Sequence, residues 1–331
     1  MSDSKKTDDP HDKRLKELFG NKEAFISFLK DCVKADWIDD LDEDSLKPSN
    51  HSFILQDFRK KEADVVYEAT LRSKAPYNNG KERVIFYVLL ENQRKVDFRM
   101  PYRLLLYIVE ILRYYYNHSD VEARKRKDFK FPAVFPIVFF NGGQEWTVPL
   151  NLKEMFCGYE RFGGSLINFN YALVDAKGYD GESVKGFRSR LLKVMMMFEK
   201  SKGFVDIAEI IKTYKKDILK FDDEEMRILN TAIDLFKEIY NQNTNYNLSE
   251  ILQSKNAERV DSMLVDVIAN AKNYEKSLIK KGKVEGKAEA EEKAYKEKIE
   301  IAKKLFLKGF TIKEIADTVN LSEEKVQKIL D

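Results

Sequence analysis

The chain has 331 residues, 43% of them hydrophobic and 34% charged, with a formal net charge of +2. Such a chain is globular, with room for a full core and more than one domain. A near-neutral balance excludes a generic polyanion binder, so any nucleic-acid contact must come from a local patch. Two widely separated cysteines, Cys32 and Cys157, lack metal-ligand spacing, which argues against zinc and for a reducing compartment.

Residues 1–10, MSDSKKTDDP, read as a disordered tail without the apolar centre of a signal peptide. No run of about 18 apolar residues follows anywhere, so no membrane span is expected and the chain reads as cytoplasmic. From His11, HDKRLKELFGNKEAFISFLKDCV has helical periodicity through Leu15, Leu18, Phe19, Phe25, Phe28 and Leu29. Asp12 is the candidate cap of its start, and Gly20 its interruption. The stretch DWIDDLDEDSLKPSN then reads as an acidic, solvated loop. Three strands are predicted next: SFILQDFR (52–59), ADVVYEA (63–69) and KERVIFYVLLENQ (81–93). The last follows KAPYNNG, whose Asn79-Gly80 pair is a hairpin signal. A strongly apolar helix, YRLLLYIVEILRYYYN (102–117), begins after Pro101. Beyond the basic loop EARKRKDFK, the runs FPAVFPIVFFNGG (131–143) and SLINFNYALVDA (165–176) predict two more strands.

After about residue 182 only helical patterns remain. Met195 to Met197 read as core filler. Residues 201–270 form a helical region, and 271–298, rich in Lys, Glu, Ala and Gly, a charged helical linker. Gly282 and Gly286 weaken that helix by about 1 kcal/mol each relative to alanine. Residues 299–331 have a helix-turn-helix-like pattern. A break at Gly309 precedes Ile312, Ile315 and Ala316, and the turn Asn320-Leu321-Ser322 leads to Val326 and Ile329. Its second helix opens with Glu323 and Glu324, which face a polyanion badly. The tail is therefore expected to be a packing or dimerisation module, joining copies of the chain through the C-terminal helices.

The chemistry concentrates where the apolar run VIFYVLL ends in Glu91, Asn92 and Gln93. Strand side chains alternate, so Tyr87, Leu89, Glu91 and Gln93 share one face. Asp64 opens the preceding strand, with Val66 and Glu68 on its face. A hairpin between the two strands brings Asp64 and Glu91 to neighbouring strands at one end of the sheet. Paired carboxylates repel unless a proton or cation lies between them, and a hard divalent cation such as Mg²⁺ is the natural occupant.

An Asp, a hairpin and then Glu-x-Gln closing an apolar strand resemble the core of PD-(D/E)xK nucleases. The stretches HDKRLKELFG, KEADVVYEA, VIFYVLLENQRKVDFRMPYRLLLYIVEIL and FPAVFPIVFFNGGQEW resemble more closely the recombination-promoting nuclease, or YhgA-like transposase, family. KGFTIKEIADTVNLSEEKV resembles the end of many members. The resemblance covers residues 11–200 and the C-terminal segment. It implies an α/β fold, a mixed sheet flanked by helices, in a nuclease domain of residues 11–200. It also implies a metal-dependent DNA endonuclease linked to recombination or mobile elements. Asp64 and Glu91 would hold the metal. Gln93 stands where the superfamily usually has lysine, and would orient the attacking water or a phosphate oxygen. Asn92 stands where the family often has histidine, on the other face by parity. Arg103 would neutralise a phosphate, with Arg99 behind it, and Glu17 would be an accessory acid.

Other features read more blandly. Glu68 lies nearer the hairpin turn and is read as structural. Arg124, Lys125, Arg126, Lys127 and Lys130 are DNA-binding candidates, balanced by the reading of a solvated loop. Tyr114 to Tyr116 read as core and helix surface rather than base-stacking platforms. His11, His51 and His118 are scattered, and neither cysteine has a histidine nearby in sequence. Two other classes stay open: a catalytically weak DNA-binding protein, and an oligomeric interaction module on the same scaffold. A three-carboxylate ribonuclease-H-type transposase is disfavoured for want of a third carboxylate in the right order.

Overall fold

A computed structural model describes residues 10–49, 64–72, 81–91, 96–239, 251–252 and 257–330. Helix α1 spans Pro10–Gly20. It opens at Pro10 because proline lacks the N–H that a first turn leaves unpaired. Asp12 therefore lies inside the helix rather than capping it. Gly20 ends α1 as expected, and Asn21 caps α2 (Lys22–Ser27) by accepting the Ala24 N–H at 2.9 Å. The chain continues as a π-helical turn, Phe28–Val33, stopped by Lys34 in the left-handed region at φ 53°.

The stretch read as an acidic loop is instead a 3-10 turn, Asp36–Asp40, that leads into a strand, β1 (Leu41–Pro48). The strand lies at the sheet edge, pairs antiparallel with β2 (Asp64–Arg72), and shifts register between Asp42 and Lys47. Leu41 and Leu46, five residues apart, are both buried. Strict alternation would send them to opposite faces, and the irregularity restores both to the interior. The expected strand at 52–59 and the hairpin turn at 73–80 lie outside the described residues.

β3 (Lys81–Glu91) pairs antiparallel with β2 along its whole length. Helix α3 (Met100–His118) then crosses to β4 (Ala133–Phe140), which lies parallel to β3. A short helix, α4 (Val121–Lys125), intervenes. After α5 (Tyr159–Phe162), β5 (Ala172–Asp175) adds to β4 in parallel, preceded by the single bridge Asn151–Asn170. The sheet order is β1-β2-β3-β4-β5. The predicted 165–176 strand thus forms only over its last third.

Alternation splits the sheet into two packed faces. Val66, Ile85, Val138 and Phe140 form one, under Met100, Leu104, Tyr107 and Ile111 of α3. Tyr67, Phe86 and Phe139 belong to the other. There Phe25 stacks on Tyr67 with centroids 4.1 Å apart, and Phe19 meets Phe139 edge-on at 5.4 Å. This second face is thickened by α6 (Arg190–Phe198), which packs on α2 and α1, and by α7 (Phe204–Ile218) and α8 (Asp223–Ile239). Met195 and Met196 are fully buried in α6, in keeping with core filler.

The chain divides into two compact units, Met1–Val267 and Ile268–Asp331, and the boundary falls within α9 (Ala257–Leu307). The second unit continues with α10 (Ile312–Val319) and α11 (Glu323–Leu330). Thr311 and Glu314 form a reciprocal capping box at the start of α10, and Asn320, at φ 50°, ends it. Ala302, Ile315, Ala316, Val319 and Val326 bury a small core of their own. Among the described residues, no helix is long and apolar enough to cross a membrane.

Candidate active site

The strand register fixes where the two central acids sit. Asp64 is the first residue of β2 and lies opposite Leu89. Glu91 is the last residue of β3, two positions further on. Opposed residues share a face, and so do residues two apart. Asp64 and Glu91 therefore occupy one face, on neighbouring strands, at one end of the sheet. Diagonal neighbours of this kind are roughly 7–8 Å apart. The face is the one α3 covers, because Val66 and Ile85 share its parity. Asn92 and Gln93 lie outside the described residues.

The parallel half of the sheet brings further groups to the same end. Glu91 is paired with Phe140 of β4, and Phe140 with Asp175 of β5. Asp175 is thus a third acid of that edge, two strands from Glu91, roughly 10 Å away at the normal strand spacing. Its Oδ1 accepts the Lys177 N–H at 3.0 Å, capping the turn that follows. Sequence reading passed it over because it closes a weak, four-residue strand.

Asn141, next after Phe140, opens a buried network. Its Nδ2 donates to Oε2 of Glu199, and Arg14 donates to Oε1 of the same carboxylate from Nε at 3.0 Å and Nη2 at 2.6 Å. Arg14 and Glu199 side chains are each only 1% exposed. The guanidinium also lies 4.2 Å from the centre of the Phe236 ring. One signal for this was available: Arg14 falls on the apolar stripe of α1, beside Leu15 and Leu18, and a charge there requires a partner. That the partner is Glu199, 185 residues away, no local pattern could say.

Segment 96–103 joins β3 to α3. Arg103 in the first turn of α3 is buried, 2% exposed, and donates to Asp97 at 3.2 Å. Arg99 is exposed and donates to the same carboxylate. Burial raises the Asp97 pKa, but hydrogen bonds from Arg99 and the charges of Arg103 and Arg99 outweigh it. The carboxyl is held below its usual range.

Glu17 on α1 bonds Arg227 of α8 at 2.8 Å, among the helices that cover the opposite sheet face. Glu68 is tied to Tyr115 of α3 and lies 3.9 Å from Lys47, so its partners are structural. The cations at 124–130 precede β4 at Ala133, the far end of the sheet from Glu91. There Lys125 pairs with Glu122 at 2.8 Å and Arg126 with Asp128 at 2.6 Å. Burial pushes the Cys32 thiol up to about 12, which keeps it protonated and unreactive. Among the described residues, no three His, Cys, Asp or Glu side chains form a metal cluster.

Fold and register together define a mixed α/β protein that carries an Asp and a Glu on adjacent strands at one end of a five-stranded sheet. The chain belongs to the family described as "Putative transposase, YhgA-like", whose family model matches residues 9–229. It is 26% identical over 195 residues to "Recombination-promoting nuclease RpnD" of Escherichia coli O157:H7, covering 57% of this chain and 67% of the relative. It is 25% identical over 153 residues to "Recombination-promoting nuclease RpnC" of Escherichia coli strain K12, covering 46% and 44%. A third relative from strain K12, "Putative inactive recombination-promoting nuclease-like protein YjiP", is 26% identical over 106 residues, covering 32% and 95%. The match thus spans less than half the length of the second relative. No solved structure is significantly similar.

Proposed function

We propose that the protein is a metal-dependent DNA endonuclease with a PD-(D/E)xK-like core, acting in recombination or mobile-element biology. The observation that carries this reading is the register that sets Asp64 and Glu91 on one face and one end of the sheet. The names of the relatives point the same way. The donor set suits the cation: two carboxylates are hard oxygen ligands of the kind Mg²⁺ prefers, and neither Cys nor His adjoins them in sequence. When bound, such an ion polarises a phosphoryl oxygen and lowers the pKa of a coordinated water.

In this reading Asp64 and Glu91 hold the cation and keep their mutual repulsion screened by it. Gln93, two positions beyond Glu91 in sequence, orients the water or a phosphate oxygen through its amide. Arg103 acts as a positioning residue: buried against Asp97, it fixes the segment between β3 and α3. Arg99, 65% exposed, is the better placed of the two arginines to meet a phosphate. Glu17 holds α1 to α8 through Arg227.

Cleavage of supercoiled plasmid tests the reading. Purified protein is compared in EDTA, Mg²⁺, Mn²⁺ and Ca²⁺, with Glu91→Ala in parallel. The expected result is nicking with Mg²⁺ or Mn²⁺ that the substitution abolishes. Nicking that survives in EDTA or in the variant contradicts it. The relative named as inactive favours one second reading, a DNA-binding protein that keeps the fold without the chemistry. That reading predicts salt-sensitive DNA binding and no nicking with any of these ions.

A further inference from the structure

We infer that the surface formed by the end of α3, by α4 and by the approach to β4 binds unpaired nucleotides of a single strand, with bases stacked on Tyr116 and Phe131. This rests on the nucleic-acid reading above and adds the kind of strand engaged. The tyrosine run in α3 reads in sequence as core and helix surface, and the structure sorts its members. Tyr116 is 44% exposed and Phe131 47% exposed. Their rings lie within 31° of parallel with centroids 6.2 Å apart. Phe129 meets both nearly edge-on, at 6.1 Å from Tyr116 and 5.3 Å from Phe131. Aromatics from two stretches, the end of α3 and the segment before β4, thus form one cluster with Tyr116 and Phe131 exposed, whereas Phe19, Phe25 and Phe28 in the core are fully buried.

Positive charge adjoins the cluster. The Arg124 guanidinium lies 4.9 Å from the centre of the Tyr116 ring. Lys125, Arg126, Lys127 and Lys130 are exposed in the same segment. Glu122 and Asp128 neutralise Lys125 and Arg126, and the segment from Arg124 to Lys130 still carries an excess of cations. Exposed aromatic rings beside basic side chains are the elements of single-strand recognition: cations follow the phosphates while rings take the bases. A duplex hides its base faces inside the stack and offers only edges, so it cannot use the rings. An apolar protein partner would leave the cations without a complement.

The patch also lies at a useful distance from the acids. β4 begins at Ala133 beside the patch and ends at Phe140 beside Glu91. Seven residue steps along a strand span roughly 23 Å. At the stacked rise of about 3.4 Å, some seven nucleotides cover that length. The geometry points to a strand anchored at one end of the sheet and offered to the acids at the other.

The test is fluorescence anisotropy of the full chain with a labelled oligothymidylate and with a blunt duplex of equal length. Binding is measured without divalent cations so that no cleavage intervenes. Tyr116→Ala and Phe131→Ala are each expected to weaken oligothymidylate binding about tenfold. Duplex binding should be unchanged, and Tyr116→Phe and Phe131→Tyr should bind like the parent chain. Lys127→Ala should lower the salt slope of single-strand binding by about 0.7. Equal oligothymidylate binding by the parent and the double alanine variant overturns the proposal. So does a parent dimer that the alanine substitutions split, which would make the face an interface between copies. Plasmid nicking is followed separately. Aromatic-dependent strand binding without nicking keeps this inference while the nuclease reading fails. Nicking with aromatic-independent binding does the reverse.

Discussion

Arg14 shows how one residue governs a region. Its charge sits on the apolar stripe of α1, and Glu199 and Asn141 lock it to the ends of α6 and β4. Removing one partner of a buried ion pair strands the other, at a cost of about 3–5 kcal/mol. Arg14→Met should lower stability by that amount, read from chemical denaturation. Adding Glu199→Leu should then cost less than its effect in the parent chain, because the stranded charge is gone. Strict additivity of the two changes would contradict the network. Asp97 gives a pH signature instead. Its carboxyl is held below the usual range in the folded chain, so its ion pairs contribute fully above the unfolded value of about 3.9. The contribution is lost as pH falls through the lower folded value. Asp97→Asn should therefore flatten the acid limb of the stability profile below about pH 4, and an unchanged limb would contradict the assignment. The strand positions of Asp64 and Glu91 were readable in the sequence, because a period of two needs only local information. The sequence was silent on the Arg14–Glu199 pair, whose partners meet only through the packing of α1 against α6.

Among the elements, the expected strands around 63–69, 81–93 and 131–143 appear as β2, β3 and β4, since their β-rich apolar runs are continuous. β1 escaped notice for a physical reason. An edge strand buries little, and here its two leucines fall out of phase across a register shift. Charges between them look like a loop to any reading that counts alternation. Within α9, Gly282 and Gly286 stand where an added Cβ meets nothing within 4 Å. Alanine at each should stabilise the helix by about 1 kcal/mol per site, seen as a higher melting point by circular dichroism at 222 nm. A drop in melting point would mean that those glycines serve a contact outside the chain. In the tail, Thr311, Glu314 and Asn320 mark the boundaries of α10 with capping chemistry that the sequence carries.

Across the whole molecule, two compact units carry different kinds of information. The first holds the sheet, both flanking helical layers and the acids at one sheet end. The second holds a small core of its own under an exposed, charged helix. Family membership covers residues 9–229, within the first unit. The proposed chemistry requires that Asp64 and Glu91 hold one cation jointly. The direct measurement is calorimetric titration of the full chain with Mn²⁺, alongside Asp64→Asn and Glu91→Gln, with circular dichroism to show that each variant is folded. A jointly held cation gives a metal-binding isotherm in the parent chain that either substitution abolishes or weakens at least about tenfold. Binding of Mn²⁺ by both variants with the affinity of the parent would contradict it.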